Sequence, residues 1–452
     1  MSSEVINLDS INRQSYNETS AYDLSQVPNG KAKRILRLVC TKVCAGIIIL
    51  GIISIVVMCI VFIVCYENDG DVTLTVNTLK KDLSPEQDFW FDKALQDLQR
   101  AFNAPINTKK AQNVIVFVAD GFNPDVINSA RVRRYGVDRA FSWEHFPYVG
   151  VVRWNNTLAD GTAMFGGVGA HSGTAGVDAS VQTNDCPGVN DEHTHVESLI
   201  SWAQQSDLKT GIVTNGDYRR GMPIALYAHI ANDSWACPTM LPDQTENPGC
   251  MDAETQLRLG SLGKEINVLM GWNSFGETCG SDHTLKETWR KSNYFIAEEA
   301  ADFSSKSNEP PEYFRALLAE SLRGSVALQT MLSTSLQILT SDSDGFLLVV
   351  ICRSTEKGTS DGVDILQLDE AVKVAIHFLG EAVDETLILT TFTPFHSGQD
   401  ISSDTLVHAT GPMAHLFRNI HDPTFIAHVI SYAARIGRFR DRLLFSSLLQ
   451  WF

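Results

Sequence analysis

The hydrophobic pattern of the chain divides it into stretches with different periods. From Val43 to Cys65 the residues are apolar without one charge, a run of about the 20 residues that a bilayer core requires, which predicts a single membrane-spanning helix. Lys31, Lys33, Arg34, Arg37 and Lys42 precede it and Glu67, Asp69 and Asp71 follow it, so the positive-inside rule places the N-terminus in the cytoplasm and the body outside it. Further on, Ser84-Pro85-Glu86 opens a run with Phe89, Trp90, Ala94, Leu95 and Leu98 at helical spacing; Ser84 is the predicted N-cap and Pro85 the first helical residue. Asn113 to Ala119 is a continuous β-branched run, the mark of a strand buried on both faces of a parallel sheet. Similar runs over Thr210–Thr214, Gly345–Cys352 and Leu387–Thr391 each follow a helical pattern, and this alternation predicts an α/β sandwich.

The predicted organisation is a cytoplasmic tail over 1–42, a transmembrane helix over 43–65, a stalk over 66–83, one ectodomain over 84–440 and a tail over 441–452. Residues 1–30 are polar with no hydrophobic period and read as disordered. The terminal apolar segment Leu443–Phe452 lacks the polar spacer of a lipid-anchor signal and reads as an amphipathic helix packing on the body. The expected location is the plasma membrane or a secretory-pathway membrane. A formal charge of −17, with no basic stripe, excludes a nucleic-acid partner. Of nine cysteines, Cys40, Cys44, Cys59 and Cys65 lie in or beside the span, as lipidation or helix-packing positions. Cys186, Cys237, Cys250, Cys279 and Cys352 lie in a compartment that permits bridges, and their odd number leaves at least one unpaired within the chain. Asn155 and Asn232 head glycosylation sequons on the exported side.

In order and spacing, the segments NVIVFVADG, FPYVGV, GGVGAHSGTAGVDAS, GIVTNGDYRRGMPIALYAHIANDSW, GCMDAETQL, VLMGW, GFLLVV, GPMAHLF and HVISYAARIG resemble the animal alkaline phosphatases over about residues 84–440. The resemblance implies a central, largely parallel sheet flanked by helices. It also implies two zinc ions and a magnesium ion, a serine nucleophile and a phosphate-gripping arginine. The long surface insert that the family carries between its last metal motifs, the crown, is missing here.

Carried over position by position, the resemblance leaves an eroded site. Asp120 matches the metal-bridging carboxylate, Glu356 could ligate, and His396 matches the last zinc histidine; the alternative for Asp120 is a turn-capping carboxylate before Gly121. No serine occurs between Ser142 and Ser172. An ungapped match puts Asn156-Thr157 at the Asp-Ser position, a gapped one Asp160-Gly161, so Thr157 and Thr162 are the candidate substitute nucleophiles. Asp233 stands where the arginine is expected, Met222 and Ile351 where magnesium ligands are, Ser360 for a zinc histidine, and Thr393-Pro394 for an Asp-His pair. The resemblance also pairs Cys186 with Cys250; Cys237 with Cys279 is a secondary pairing, and Cys352 reads as a buried thiol. His193 and His195 read as solvated loop residues outside the site.

These substitutions predict a catalytically inactive ectoprotein that binds or dimerises, with itself or with an active relative, and that carries no cofactor. The competing reading is a phosphomonoesterase that retains zinc and magnesium in a degenerate site.

Overall fold

The computed structural model describes residues 45–59 apart from 47, and 84–440 apart from 105, 156–158, 243–248, 274–278, 280–281, 306–309, 320–325, 342–343, 355–361 and 395–402. The predicted cytoplasmic tail, stalk and C-terminal tail, together with Thr157, Glu356, Ser360 and His396, lie outside the described residues. The chain divides into two units, Met1–Gln99 and Arg100–Phe452.

In the first unit, residues 45, 46 and 48–59 are helical. This is the middle of the predicted membrane span, and among the described residues no helix is long and apolar enough to cross a membrane. A helix runs over Pro85–Phe102, its first fifteen residues in this unit, and none of its residues is buried. Ser84 Oγ accepts from the Gln87 amide, while Gln87 Oε1 accepts from the Ser84 amide, both at 3.4 Å, so the start at Pro85 follows from a reciprocal cap. Phe89, Trp90, Phe91 and Leu98 of this helix are exposed.

The second unit is built on a ten-stranded sheet: β1 (Asn113–Asp120), β2 (Tyr148–Trp154), β3 (Lys209–Thr214), β4 (Val268–Asn273), β5 (Phe295–Ala297), β6 (Phe314–Ala319), β7 (Phe346–Arg353), β8 (Thr386–Phe392), β9 (Ser403–Thr410) and β10 (Ile420–His421). Their spatial order is β10-β2-β9-β8-β1-β7-β3-β4-β6-β5. All neighbours are parallel except β9, which runs antiparallel to both β2 and β8, so the sheet is mixed. The four strands expected from their apolar runs, β1, β3, β7 and β8, lie side by side at its centre.

Because side chains alternate along a strand, the sheet sorts its residues onto two faces. Val114, Val116 and Val118 of β1, Leu347, Val349 and Ile351 of β7, and Leu387 and Leu389 of β8 share one core with the helices Leu199–Gln204 and Thr424–Ala434. Ile115, Phe117, Leu348, Val350 and Ile388 face the other core, with the helices Leu328–Leu339 and Val363–Leu379. Cys186–Cys250 and Cys237–Cys279 are disulfide-bonded, and Cys352 is a buried free thiol at the end of β7.

Candidate functional site at the strand ends

In an open α/β sheet the ligand crevice lies beyond the carboxyl ends of the strands. Here β1 ends in Asp120, which pairs in register with Arg353 of β7, while Ala119 pairs with Phe392 and so brings Thr393 alongside. Asp120, Arg353 and Thr393 continue the face that carries Val118, Ile351 and Leu389, just past the last apolar residues.

The Arg353 guanidinium closes on Asp120. Its Nε donates to Asp120 Oδ2 at 2.9 Å, and its Nη2 donates to the Arg220 carbonyl at 3.2 Å. The other carboxylate oxygen, Oδ1, accepts from Thr393 Oγ1 at 2.9 Å, and Thr393 Oγ1 accepts in turn from the Gly121 amide at 3.0 Å. The Arg353 backbone is held at both ends by Asn215, whose Oδ1 accepts from its amide at 2.6 Å and whose Nδ2 donates to its carbonyl at 3.0 Å. Room for the guanidinium comes from Gly221, where an added Cβ would lie 2.6 Å from Arg353 Nη2. Both oxygens of the one retained metal-bridging carboxylate therefore have partners supplied by the chain.

Around this pair is a cavity of about 190 Å³ lined by Asp120, Asp160, Asp233, Arg353, Met222 and the small residues Gly161, Gly173 and Gly221. Burial pushes the Asp233 carboxyl above its usual range, with Arg353 and Arg220 opposing and Asp160 reinforcing the shift. The lining carries three carboxyl groups and one guanidinium, with Arg220 close enough to act on Asp233, so it offers a dianionic phosphate no surplus of positive charge.

The other positions singled out in the sequence fall as follows. Met222 lines the cavity, and Ile351 is fully buried between Val118 and Thr214. Thr162 is 1% exposed and its Oγ1 accepts from the Gly176 amide at 3.0 Å, so its hydroxyl serves packing and is absent from the cavity wall. Gly161 does reach the wall, but a Cβ there would lie 2.7 Å from the Met222 carbonyl oxygen. Pro394 is buried. Asn155 follows the end of β2, and Asn232 Nδ2 donates to Asn184 Oδ1 at 2.7 Å.

Among the described residues no group of three or more His, Cys, Asp or Glu side chains is placed to hold a metal ion. Among the described residues, Asp120 is held by Arg353 and Thr393 and the side chains of Met222 and Ile351 offer no oxygen, so these positions do not fit the metal roles that the sequence resemblance gives them; Glu356 and His396 lie outside the described residues.

Arg353 is one of two arginine pairings that the sequence does not announce. The other lies just after β3, where the buried Arg219 donates to Asp217 (Nε to Oδ1, 3.0 Å; Nη2 to Oδ2, 2.9 Å), to Glu254 at 2.8 Å and to Asn273 at 2.8 Å. A fully desolvated guanidinium needs such complete pairing, and the network pins the loop that leads to Gly221 and Met222. His195 also departs from the solvated reading. It is half-buried, its ring stacks on His229 at 4.1 Å, and its Nε2 lies 2.7 Å from the Val189 carbonyl. His193 is exposed as expected.

Burial lowers the His229 pKa from 6.5 to about 4, His195 adds to the shift, and the hydrogen bond to the Gly176 carbonyl opposes it. Below pH 6.5 the unfolded chain takes up a proton that the folded one refuses. Stability is therefore expected to fall as the pH drops from about 6.5 to about 4 and to level off below, by on the order of 3 kcal/mol from this residue. Urea unfolding at pH 7 and pH 4.5 checks this: His229→Asn should lose less stability over that interval than the unsubstituted protein.

Residues 111–396 match the family profile described as alkaline phosphatase. The chain belongs to the alkaline phosphatase family. The tissue-nonspecific isozyme of Felis catus is 24% identical over 492 positions, covering 81% of this chain and 92% of that protein, and the Homo sapiens isozyme is 24% identical over 485 positions with the same coverage. The "membrane-bound alkaline phosphatase" of Bombyx mori is 26% identical over 363 positions, with 69% and 66% covered. Among solved structures, the alkaline phosphatase of the Antarctic bacterium TAB5 superposes with a TM-score of 0.56 at 16% identity, over 73% of this chain and all of that one. That of Thermus thermophilus gives 0.55 at 13% identity, over 73% and 93%. At these identities the structures support the fold alone.

Proposed function

We propose that this member of the family is a non-catalytic, single-pass membrane ectoprotein whose phosphatase-like body serves as a binding or dimerisation module. The observation that carries the reading is the Arg353–Asp120–Thr393 triad: a tethered cation and a hydroxyl take both oxygens of the carboxylate that a metal-dependent phosphatase needs for its ions. Asp233, Met222 and Ile351 support it from the phosphate and magnesium sides. So does Gly161, whose crowding against Met222 leaves no space for a nucleophilic side chain on the present backbone.

The membrane anchor over 43–65, with the N-terminus cytoplasmic, rests on the apolar run and its flanking charges. The Bombyx mori relative is itself described as membrane-bound. The alignment with the Felis catus isozyme spans 492 positions but takes in only 81% of this chain, so that relative carries residues without a counterpart here, which is consistent with a missing crown. Self-association, or pairing with an active relative, is supported by the helix Pro85–Phe102, which leaves several large apolar side chains uncovered. Glycans at Asn155 and Asn232 belong to the same extracellular reading.

The test is direct. Full-length protein purified from secretory cells and supplied with zinc and magnesium should show no metal-dependent hydrolysis of a chromogenic phosphomonoester at alkaline pH above that of a buffer blank, and Gly161→Ser should not create it. Stoichiometric zinc together with turnover would overturn the reading in favour of a degenerate phosphomonoesterase.

A further inference from the structure

On the face of the sheet opposite the Asp120 cleft, the mixed edge of the sheet encloses a second cavity, of about 290 Å³. Its position follows from strand parity. Phe392 of β8 and His408 of β9 belong to the set of side chains that includes Ile388 and Thr390, since Thr390 pairs with His408. Asp120 and Thr393 extend the other set. No residue of the Asp120 cleft lines this cavity, and none of its lining residues belongs to the eroded metal set.

The walls are aromatic and aliphatic: Phe122, Trp143, Phe392 and Ile127, with Trp143 meeting Phe392 edge-on at 6.0 Å. One polar ring interrupts them. His408 is 6% exposed and its Nδ1 is buried without a hydrogen-bond partner. A buried N–H with no acceptor is rarer and more costly than a bare acceptor, so the proton of the neutral ring belongs on Nε2. Burial, which lowers the His408 pKa to about 4, keeps the ring neutral at physiological pH. Among the described residues none accepts from that N–H.

The charged residues at the rim already have partners. Arg153 holds Asp404 through two bonds of 2.9 and 3.0 Å. Glu144 accepts from the Phe141 amide at 2.7 Å and faces Arg131, whose guanidinium also donates to the Arg139 carbonyl and to Asn128. A charged ligand would have to break one of these pairs, whereas an uncharged ring would disturb none.

We propose that this cavity is a binding site for an uncharged, one- or two-ring aromatic molecule carrying a carbonyl oxygen, with the ring packed between Phe122, Trp143 and Phe392 and the oxygen accepting from His408 Nε2–H. A cavity with an aromatic wall, a buried imidazole in that wall and a rim of already paired polar side chains is the kind of lining that small-molecule sites use. The site does not depend on the phosphatase-like cleft and would stand even if that cleft were active.

The probe is 4-fluoroacetophenone, titrated by ¹⁹F NMR against full-length protein in lipid nanodiscs, with empty nanodiscs as the partition control. The expected result is a saturable shift with one site per chain. Leu406→Trp, a substitution at a lining residue that is 44% exposed and outside the packed core, should fill the mouth and weaken binding at least tenfold. His408→Phe should weaken it severalfold, and thermal melts establish that both variants are folded. Absence of saturable binding up to the solubility of the probe, or binding unchanged by Leu406→Trp, would overturn the site. Binding lost with Leu406→Trp but unaffected by His408→Phe would overturn the assignment of the carbonyl ligand.

Discussion

Arg353→Met is expected to destabilise the second unit by about 2–3 kcal/mol, read as a fall in melting temperature of roughly 5 °C. The substitution keeps most of the side-chain length but strips the charge and its donors, leaving the Asp120 side chain, only 17% exposed, without the partner that is itself 27% exposed. Coulomb attraction at that depth exceeds that of an open surface pair, and the bonds to Asp120 and to the Arg220 carbonyl are lost together. The double variant Asp120→Asn/Arg353→Met should be less damaged than the sum of the two single variants, with a coupling of about 1–2 kcal/mol. If the two effects simply add, the pair has no energetic role and the reading of Arg353 as the built-in counter-charge fails.

Gly176→Ala should be still more damaging, on the order of 3–5 kcal/mol and roughly 10 °C. Gly176 has φ +68°, a conformation that an L side chain adopts only with strain, and an added Cβ would lie 2.0 Å from the Ala228 carbonyl oxygen. The same residue is a junction: its amide donates to Thr162, and its carbonyl accepts from the Val196 amide and contacts His229 Nδ1. Displacing it would loosen the helix Asp160–Gly166 and the stacked histidines at once. Circular dichroism melts of the variant and the unsubstituted protein, measured at one concentration, provide the check; a shift under 2 °C would show that the backbone relaxes there.

The centre of the sheet could be read from the sequence because its residues carry an unmixed signal. Asn113–Asp120 and Phe346–Arg353 are apolar at every internal position, as a strand covered on both faces must be. The strand Ser403–Thr410 has no such signal: Ser403, Asp404, Thr405 and His408 dilute its apolar residues, and its antiparallel direction depends on β2 and β8, distant in sequence. The short β5 and β6 were likewise missed, since Phe314–Ala319 carries the charged Arg315 at a position that proves fully buried.

At the cleft, the losses were visible because each is a change of residue at a known place in a motif. The replacement was not. Arg353 stands 233 positions from Asp120, and only the in-register pairing of β1 with β7 turns a basic residue at a strand end into the partner of a carboxylate at another. The one available signal was its placement: an arginine closing a buried, wholly apolar strand is expensive unless an anion waits beside it. Thr393 followed the same logic, appearing as a missing aspartate in the motif and proving to be a donor to the aspartate that remained.

The tethered guanidinium also changes what concentration can do. A metal ion stabilises its site by mass action, through the ratio of its free concentration to its dissociation constant, and the site is correspondingly sensitive to chelators and to metal supply. Arg353 is present at one copy per Asp120 in every molecule, at a local concentration fixed by the β1–β7 register. For this carboxylate, counter-charge is delivered by translation, and neither dilution nor metal scarcity can withdraw it.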